Sequence, residues 1–173
     1  MKYIVGYPTN ADQNFVNDII ANKDHISEVY FSFGSMPNGR SALMAGEGLT
    51  EFERQRKQLE QLDTICAAGL PLNLLFNANC YGAESQSRAL FERIGQTVDY
   101  IESSFGLASV TTTSPLIAKF VKNNFPNIAT RASVNMEIGT VQGMDYLAGY
   151  FDGYYMKREL NRDLDAVAQL SAW

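Results

Sequence analysis

Histidine occurs once in the 173 residues, tryptophan once and cysteine twice. A single His25 leaves no pair of imidazoles for an H-E-x-x-H zinc site. Cys66 and Cys80 share no C-x-x-C spacing, which excludes a disulfide framework and a self-contained zinc or iron-sulfur site; two buried or isolated thiols are expected. Long apolar runs are also missing. The longest, such as residues 70–76, falls far short of the ~20 needed to cross a bilayer, so no membrane partner is expected. There is no run of Lys or Arg, and 14 basic against 19 acidic residues give a formal net charge of −5. That balance excludes a dedicated surface for nucleic acid or anionic membrane, and any contact with RNA would have to be local. Met1-Lys2 runs straight into residues 3–7 with neither the apolar core nor the small-residue cleavage site of a signal peptide, so a cytoplasmic location is expected.

What is present is the composition of a folded domain, 46% hydrophobic and 19% charged, in a chain able to bury roughly 70% of its unfolded surface. Its hydrophobic period switches repeatedly between strand and helix. Residues 3–7 are strand-like, and Asp12 opens a helical segment with Phe15, Val16, Ile19 and Ile20 in phase. Residues 26–33 predict a second strand. Thr50 and Glu53 make a capping-box pattern before Phe52, Leu59, Leu62 and Ile65, and Gly69 closes that helix. The unit then recurs: residues 71–78 predict a third strand, and 85–105 a helix carrying Leu90, Ile94, Val98 and Ile101 and ended by Gly106. Residues 107–113 predict a fourth strand leading into Ser114-Pro115, an N-cap with proline at the first helical position. Residues 128–134 predict a fifth strand, 140–147 a short helix and 153–156 a sixth strand, and Asn161 caps a final helix holding Leu164, Val167 and Leu170.

Strict alternation of strand and helix predicts an α/β fold with a parallel sheet. No G-x-G-x-x-G follows the first strand. Asn73, Asn77 and Asn79 share one face of the third strand, opposite Leu72, Leu74 and Phe76; Arg131, Ser133 and Asn135 likewise oppose Ala132 and Val134 on the fifth. An open sheet covered on both sides needs two apolar faces, whereas a TIM-type (βα) barrel tolerates inward polar residues near its mouth. The expectation is a parallel TIM-type barrel with six βα units visible, incomplete relative to the eight that usually take about 250 residues. Residues 1–173 then form a single partial barrel domain, expected to be a fragment of a longer chain or a barrel whose open first and sixth strands are covered by another copy or element.

Barrel sites lie at the C-terminal strand ends and the loops that follow. There the sequence places Tyr7, Arg40, Asn77, Asn79, Cys80, Arg131, Ser133, Asn135, Arg158 and Asn161, a set of amides, hydroxyls and guanidiniums suited to an oxygen-rich or anionic ligand. His25 precedes the second strand and so lies at the opposite end, which removes Ser-His-Asp and Cys-His arrangements from the mouth. Arg131, a charge inside a strand, must be paired or meet an anion: Glu159 or Glu137 on one reading, a ligand on the other. Lys157 beside Arg158 is a candidate Schiff-base nucleophile of an aldolase-type lyase, or a solvated loop lysine. Glu159 is a candidate general acid or base, or an arginine's partner. A non-catalytic binding or scaffold module using the open barrel edges is the reading from a different class.

The segments Ser27-Glu28-Val29-Tyr30-Phe31 with Arg40 downstream, residues 71–77, residues 109–126 running into Ala129-Thr130-Arg131-Ala132-Ser133-Val134-Asn135, and Arg158-Glu159-Leu160-Asn161 occur in an order and spacing that span nearly the whole chain. Together they resemble the collagenase-like peptidase family, number thirty-two of the peptidases of unknown catalytic type (U32), which typically carries Arg-Glu-Leu-Ser where this chain has Arg-Glu-Leu-Asn. The resemblance implies a TIM-type barrel from bacterial cytoplasmic proteins. Some members are named proteases, and others resemble oxygen-independent hydroxylases of RNA bases or quinone precursors, with prephenate as oxygen donor and an iron-sulfur cluster. The cluster's cysteines lie in the family beyond the sixth unit, so no cofactor is expected in this chain and a cluster only in a longer form. The implied partners are a small anionic ligand or a peptide, with self-association through the open barrel edges.

Overall fold

The computed structural model describes residues 2–8, 11–34, 36 and 50–173. Six strands, β1 (Tyr3–Gly6), β2 (Ile26–Phe31), β3 (Leu72–Phe76), β4 (Ser109–Thr112), β5 (Ala129–Ala132) and β6 (Gly153–Tyr154), alternate with helices α1 (Gln13–Ala21), α2 (Glu51–Ala67), α3 (Arg88–Phe105), α4 (Pro115–Asn124), α5 (Val141–Leu147) and α6 (Leu164–Ser171). All strand pairs are parallel, and the spatial order is β1-β2-β3-β4-β5-β6. That order settles the architecture. Each right-handed crossover deposits its helix on the same side of the sheet, so one face is covered and the other curls inward, whereas a doubly wound sheet reverses its order part-way. The result is an incomplete TIM-like barrel in which β1 and β6 are its two edges.

The covered face is the core. Val29 and Phe31 of β2, Leu72, Leu74 and Phe76 of β3 and Val110 of β4 are buried beneath Leu62 and Ile65 of α2, Leu90, Ile94, Val98 and Ile101 of α3, and Ile117 and Val121 of α4. A second cluster around Ala132, Met144, Phe151 and Leu170 lies under α5 and α6. The predicted capping box starts α2: Thr50 Oγ1 accepts from the Glu53 amide at 3.2 Å, and the Glu53 carboxylate accepts from the Thr50 amide at 2.8 Å. Two starts differ from the sequence expectation. A 3-10 turn, Gly82–Glu84, delays α3, whose cap is Ser87 rather than Ser85, with Ser87 Oγ accepting from the Leu90 amide. Asn161 sits inside the 3-10 turn Arg158–Arg162, and Asp163 caps α6, its Oδ1 accepting from the Ala166 amide at 3.0 Å. A carboxylate satisfies that amide and also opposes the positive helix end, which an amide side chain does not.

At the outer side of β5, Asp152 Oδ2 accepts from the Thr130 amide at 2.8 Å and from its hydroxyl at 3.0 Å, while Lys122 Nζ lies 2.6 Å from Oδ1. Burial alone raises this carboxyl, but the bonds from Lys122 and Thr130 outweigh it and hold it below the ordinary range. A depressed folded-state pKa contributes stability that is present above the unfolded value of about 4 and is lost as pH falls through the folded one. Asp152→Asn is therefore expected to flatten the acid limb of a stability–pH profile between about pH 5 and pH 2. Superimposable acid limbs in denaturant melts would contradict this.

Candidate functional site

The inward face carries Glu28 and Tyr30 on β2, Asn73 and Leu75 on β3, Thr111 on β4 and Arg131 on β5, with Tyr155 just past β6. They form one hydrogen-bonded network. The buried Glu28 carboxylate accepts through Oε1 from Asn73 Nδ2 at 2.8 Å and from the Tyr155 hydroxyl at 2.7 Å, and through Oε2 from Arg131 Nη1. The Tyr155 oxygen in turn accepts from Asn73 Nδ2 and Arg131 Nη1, each at 3.2 Å, and Thr111 Oγ1 donates to Asn73 Oδ1 at 2.9 Å. Burial works against the charged guanidinium, yet its bonds to Tyr155 and Glu28 prevail and raise the Arg131 pKa. Burial, then the bond to Glu28, also pushes the Tyr155 phenol up. Arg131 is thus paired with Glu28, not with either acid that the sequence suggested, Glu159 or Glu137. That bond joins strands β5 and β2 across the lumen and exists only because the sheet curls.

Above this network the lumen is a cavity of about 790 Å³. Its lining includes Asn73, Thr111 and Tyr155, the apolar Leu75, Val134 and Met156, and Asn77, Ser133, Asn135, Arg158 and Asn161, which follow the C-terminal ends of their strands. Lys2, Tyr3 and Ile4 of the β1 edge and Tyr154 beside β6 complete the wall. Tyr30 reaches the wall over Gly6, where an added Cβ would lie 2.6 Å from the phenol ring. Glycine at position 6 is therefore a matter of space rather than of backbone conformation. Gly6→Ala is expected to cost about 1–3 kcal/mol in a urea melt, the usual penalty for overpacking, and to be better tolerated in a Tyr30→Ala background. Additive costs in the double variant would place the ring elsewhere.

Of the residues expected at the site, the cavity gathers Asn77, Ser133, Asn135, Arg158 and Asn161. Asn135 Nδ2 donates to the Asn77 carbonyl at 3.2 Å, and its own amide donates to Ser133 Oγ at 3.2 Å. Arg131 is held by Glu28 and Tyr155, keeps its side chain 30% exposed, and is not among the residues lining the cavity. Asn79 is exposed beyond β3 and outside the lining. Lys157 and Glu159 also fall outside it: Lys157 Nζ stands 3.9 Å from Glu137 and 3.8 Å from Glu159. Arg40 lies outside the described residues. Tyr7 points away from the lumen, donating to Gln61 of α2 and packing edge-on to Phe15, and burial pushes its phenol up to about 12.

The thiols do not fit an iron-sulfur cluster. Cys66 on α2 donates to the Phe105 carbonyl at 2.8 Å, burial and then Asp63 raising its pKa, while Cys80 is exposed past β3. Among the described residues no three His, Cys, Asp or Glu side chains come together as metal ligands. Nor is any described helix long and apolar enough to cross a membrane. The residues that sequence reasoning missed are Glu28, Thr111, Tyr155 and Lys2. Strand alternation carried a signal for Glu28, which shares the parity of Tyr30 in β2.

The sequence matches no family model and no curated protein. Solved structures do match. The U32 peptidase Mk0906 superposes with a TM-score of 0.75 over 99% of this chain, at 13% sequence identity. At that identity the likeness is one of fold. This chain spans 65% of the length of that U32 structure. An Oleispira antarctica phosphodiesterase, solved in complex with the product sn-glycerol-3-phosphate, superposes less closely, with a TM-score of 0.59 over 99% of this chain and 81% of its own at 15% identity. The U32-type barrel and the phosphodiesterase thus share the six-unit frame described above.

Proposed function

We propose that the lumen is the small-molecule site of a U32-like barrel enzyme and takes a carboxylate-bearing ligand whose anion meets Arg158. The observation that carries this reading is a contrast of charge. In a chain of net charge −5, the cavity wall holds Lys2 and Arg158 and, among the described residues, no carboxylate. Arg158 is exposed and makes no ion pair among the described residues, so its guanidinium fork is available to a planar anion. Asn77, Asn135, Asn161 and Ser133 beside it supply neutral polar contacts, while Leu75, Val134 and Met156 accept an apolar body. Cavities of this size with a few convergent polar groups are the usual form of a small-molecule site.

On this reading the residues of this chain bind and orient, and bond cleavage or hydroxylation belongs to the longer forms that the U32 resemblance implies. The bound carboxylate is then a peptide terminus or a small organic acid such as prephenate. Titration with phenylacetate, followed by ¹⁵N–¹H spectra, tests the placement. The side-chain amides of Asn77, Asn135 and Asn161 and the Arg158 Nε–H are expected to shift together and saturate; movement confined to Lys157 and Glu159 would relocate the site. A second reading, association through the barrel edge, is favoured by the exposure of Tyr3 (57%) and Ile4 (41%) on β1. It predicts concentration-dependent light scattering that a charged Ile4→Lys variant abolishes.

A further inference from the structure

We propose that the open edge of β1 is a strand-docking site: an extended polypeptide segment pairs with it in parallel and brings its free C-terminal carboxylate to the mouth, at Arg158. The inference rests on the carboxylate reading above and names the body that carries the anion, a peptide in strand conformation rather than a compact organic acid.

The backbone of β1 leads there. Tyr3 turns its carbonyl toward β2, where it accepts from the Ser27 hydroxyl at 3.1 Å, and Tyr7 donates its amide to the Tyr30 carbonyl at 2.8 Å. Successive residues of a strand direct their amide and carbonyl groups to opposite sides, so Ile4 and Gly6 turn theirs away from β2. Pairing with β2 is regular from Ile4 to Gly6, and β2 is the one strand that β1 pairs with among the described residues. Two amides and two carbonyls therefore stand along the open edge, a template for a further strand. Tyr3 and Ile4 beside them are 57% and 41% exposed.

The cavity receives such a strand. Lys2, Tyr3 and Ile4 of this edge line the same space as Tyr154, Tyr155 and Met156 on the β6 side, so a segment laid along β1 lies within the lumen. Six strands of a barrel that closes with eight leave room between β1 and β6 for one more at ordinary spacing. Alternate side chains of that segment then face the apolar Leu75, Val134 and Met156. Charge sets its direction. The described lining holds two cations, Lys2 before β1 and Arg158 past β6, and no carboxylate. A parallel segment ends at the mouth with its carboxylate toward the Arg158 fork and sets an acidic side chain near Lys2. An antiparallel one would aim its ammonium at Arg158. A second copy of this chain is the poorer occupant for the same reason, because antiparallel pairing of two β1 edges would carry its Lys2 to the mouth end.

The test titrates the intact chain calorimetrically with acetyl-Glu-Thr-Val-Thr-Val, as the free acid and as the C-terminal amide, with phenylacetate as the reference. The free acid is expected to bind roughly tenfold or more tightly than either comparison. Amide-proton exchange at Ile4 and Gly6, followed by ¹⁵N–¹H spectra, should slow by about tenfold with the peptide and stay unchanged with phenylacetate. N-methylation of both threonines or of both valines should give unlike results: the set facing β1 weakens binding by about tenfold or more, and the other is tolerated. With phenylacetate still bound, equal effects of the two sets, or unaltered exchange at Ile4 and Gly6, overturn the strand claim and leave the carboxylate site standing. An amide that binds as well as the acid overturns the proposed direction. Exchange at Ile4 and Gly6 that slows with protein concentration alone assigns the edge to a second copy and overturns the peptide. Failure of phenylacetate and peptide alike overturns both readings.

Discussion

Glu28→Ala is expected to lower the unfolding free energy by about 3 kcal/mol, the low end of what breaking a buried ion pair costs. The carboxylate side chain is only 4% exposed, and it alone accepts from Arg131, Asn73 and Tyr155 at once. Alanine would strand a guanidinium and leave the Asn73 amide and the phenol proton without their main acceptor. The low end applies because the Arg131 side chain keeps 30% exposure and retains some hydration. Glu28→Leu combined with Arg131→Met should recover most of the loss, since removing both charges is far cheaper than removing one. Urea denaturation of the two single variants and the double variant measures the coupling. A Glu28→Ala cost below about 1 kcal/mol, the level of an exposed pair, would show that the network contributes little to holding the curl.

The second large effect is on binding. Arg158→Gln is expected to reduce affinity for phenylacetate by roughly tenfold to a hundredfold, as loss of a charge-assisted, forked contact does. Because Arg158 is exposed in the 3-10 turn Arg158–Arg162, the melting temperature should not move. Arg158→Lys should fall between, keeping the charge and losing the fork. Affinity should also decline with added salt in the parent and much less in the glutamine variant. If Arg158→Gln bound as tightly as the parent, Lys2 or a group outside the described residues would be the anion's partner.

Much of this frame was legible in the sequence because it follows from local rules. Period-two alternation put Asn73 and Asn77 on the face opposite Leu72, Leu74 and Phe76, and the sheet keeps them apart in that way. The capping box at Thr50, and Pro115 behind the Ser114 cap, marked helix starts that the structure retains. Less legible was anything that depends on curvature. Alternation tells that Arg131 faces inward, but which acid it meets is decided by how far the sheet bends, and nearby acids such as Glu137 were the natural guess. Tyr155 stands among Tyr150 and Tyr154, which pack, while its own hydroxyl bridges to β2, and nothing local distinguishes it from them. Asn161 and Asp163 are both good caps in isolation, and only the intervening 3-10 turn assigns the role.

Because each strand pairs with its immediate predecessor in the chain, the molecule can be assembled in the order a ribosome delivers it, one unit docking on the last. The bond between Tyr155 and Glu28, 127 positions apart, must wait until the sixth unit has emerged. Its loop-closure cost is thus deferred until most of the sheet already constrains the chain. A latch that forms so late leaves the rate of folding alone and governs how slowly the finished barrel springs open.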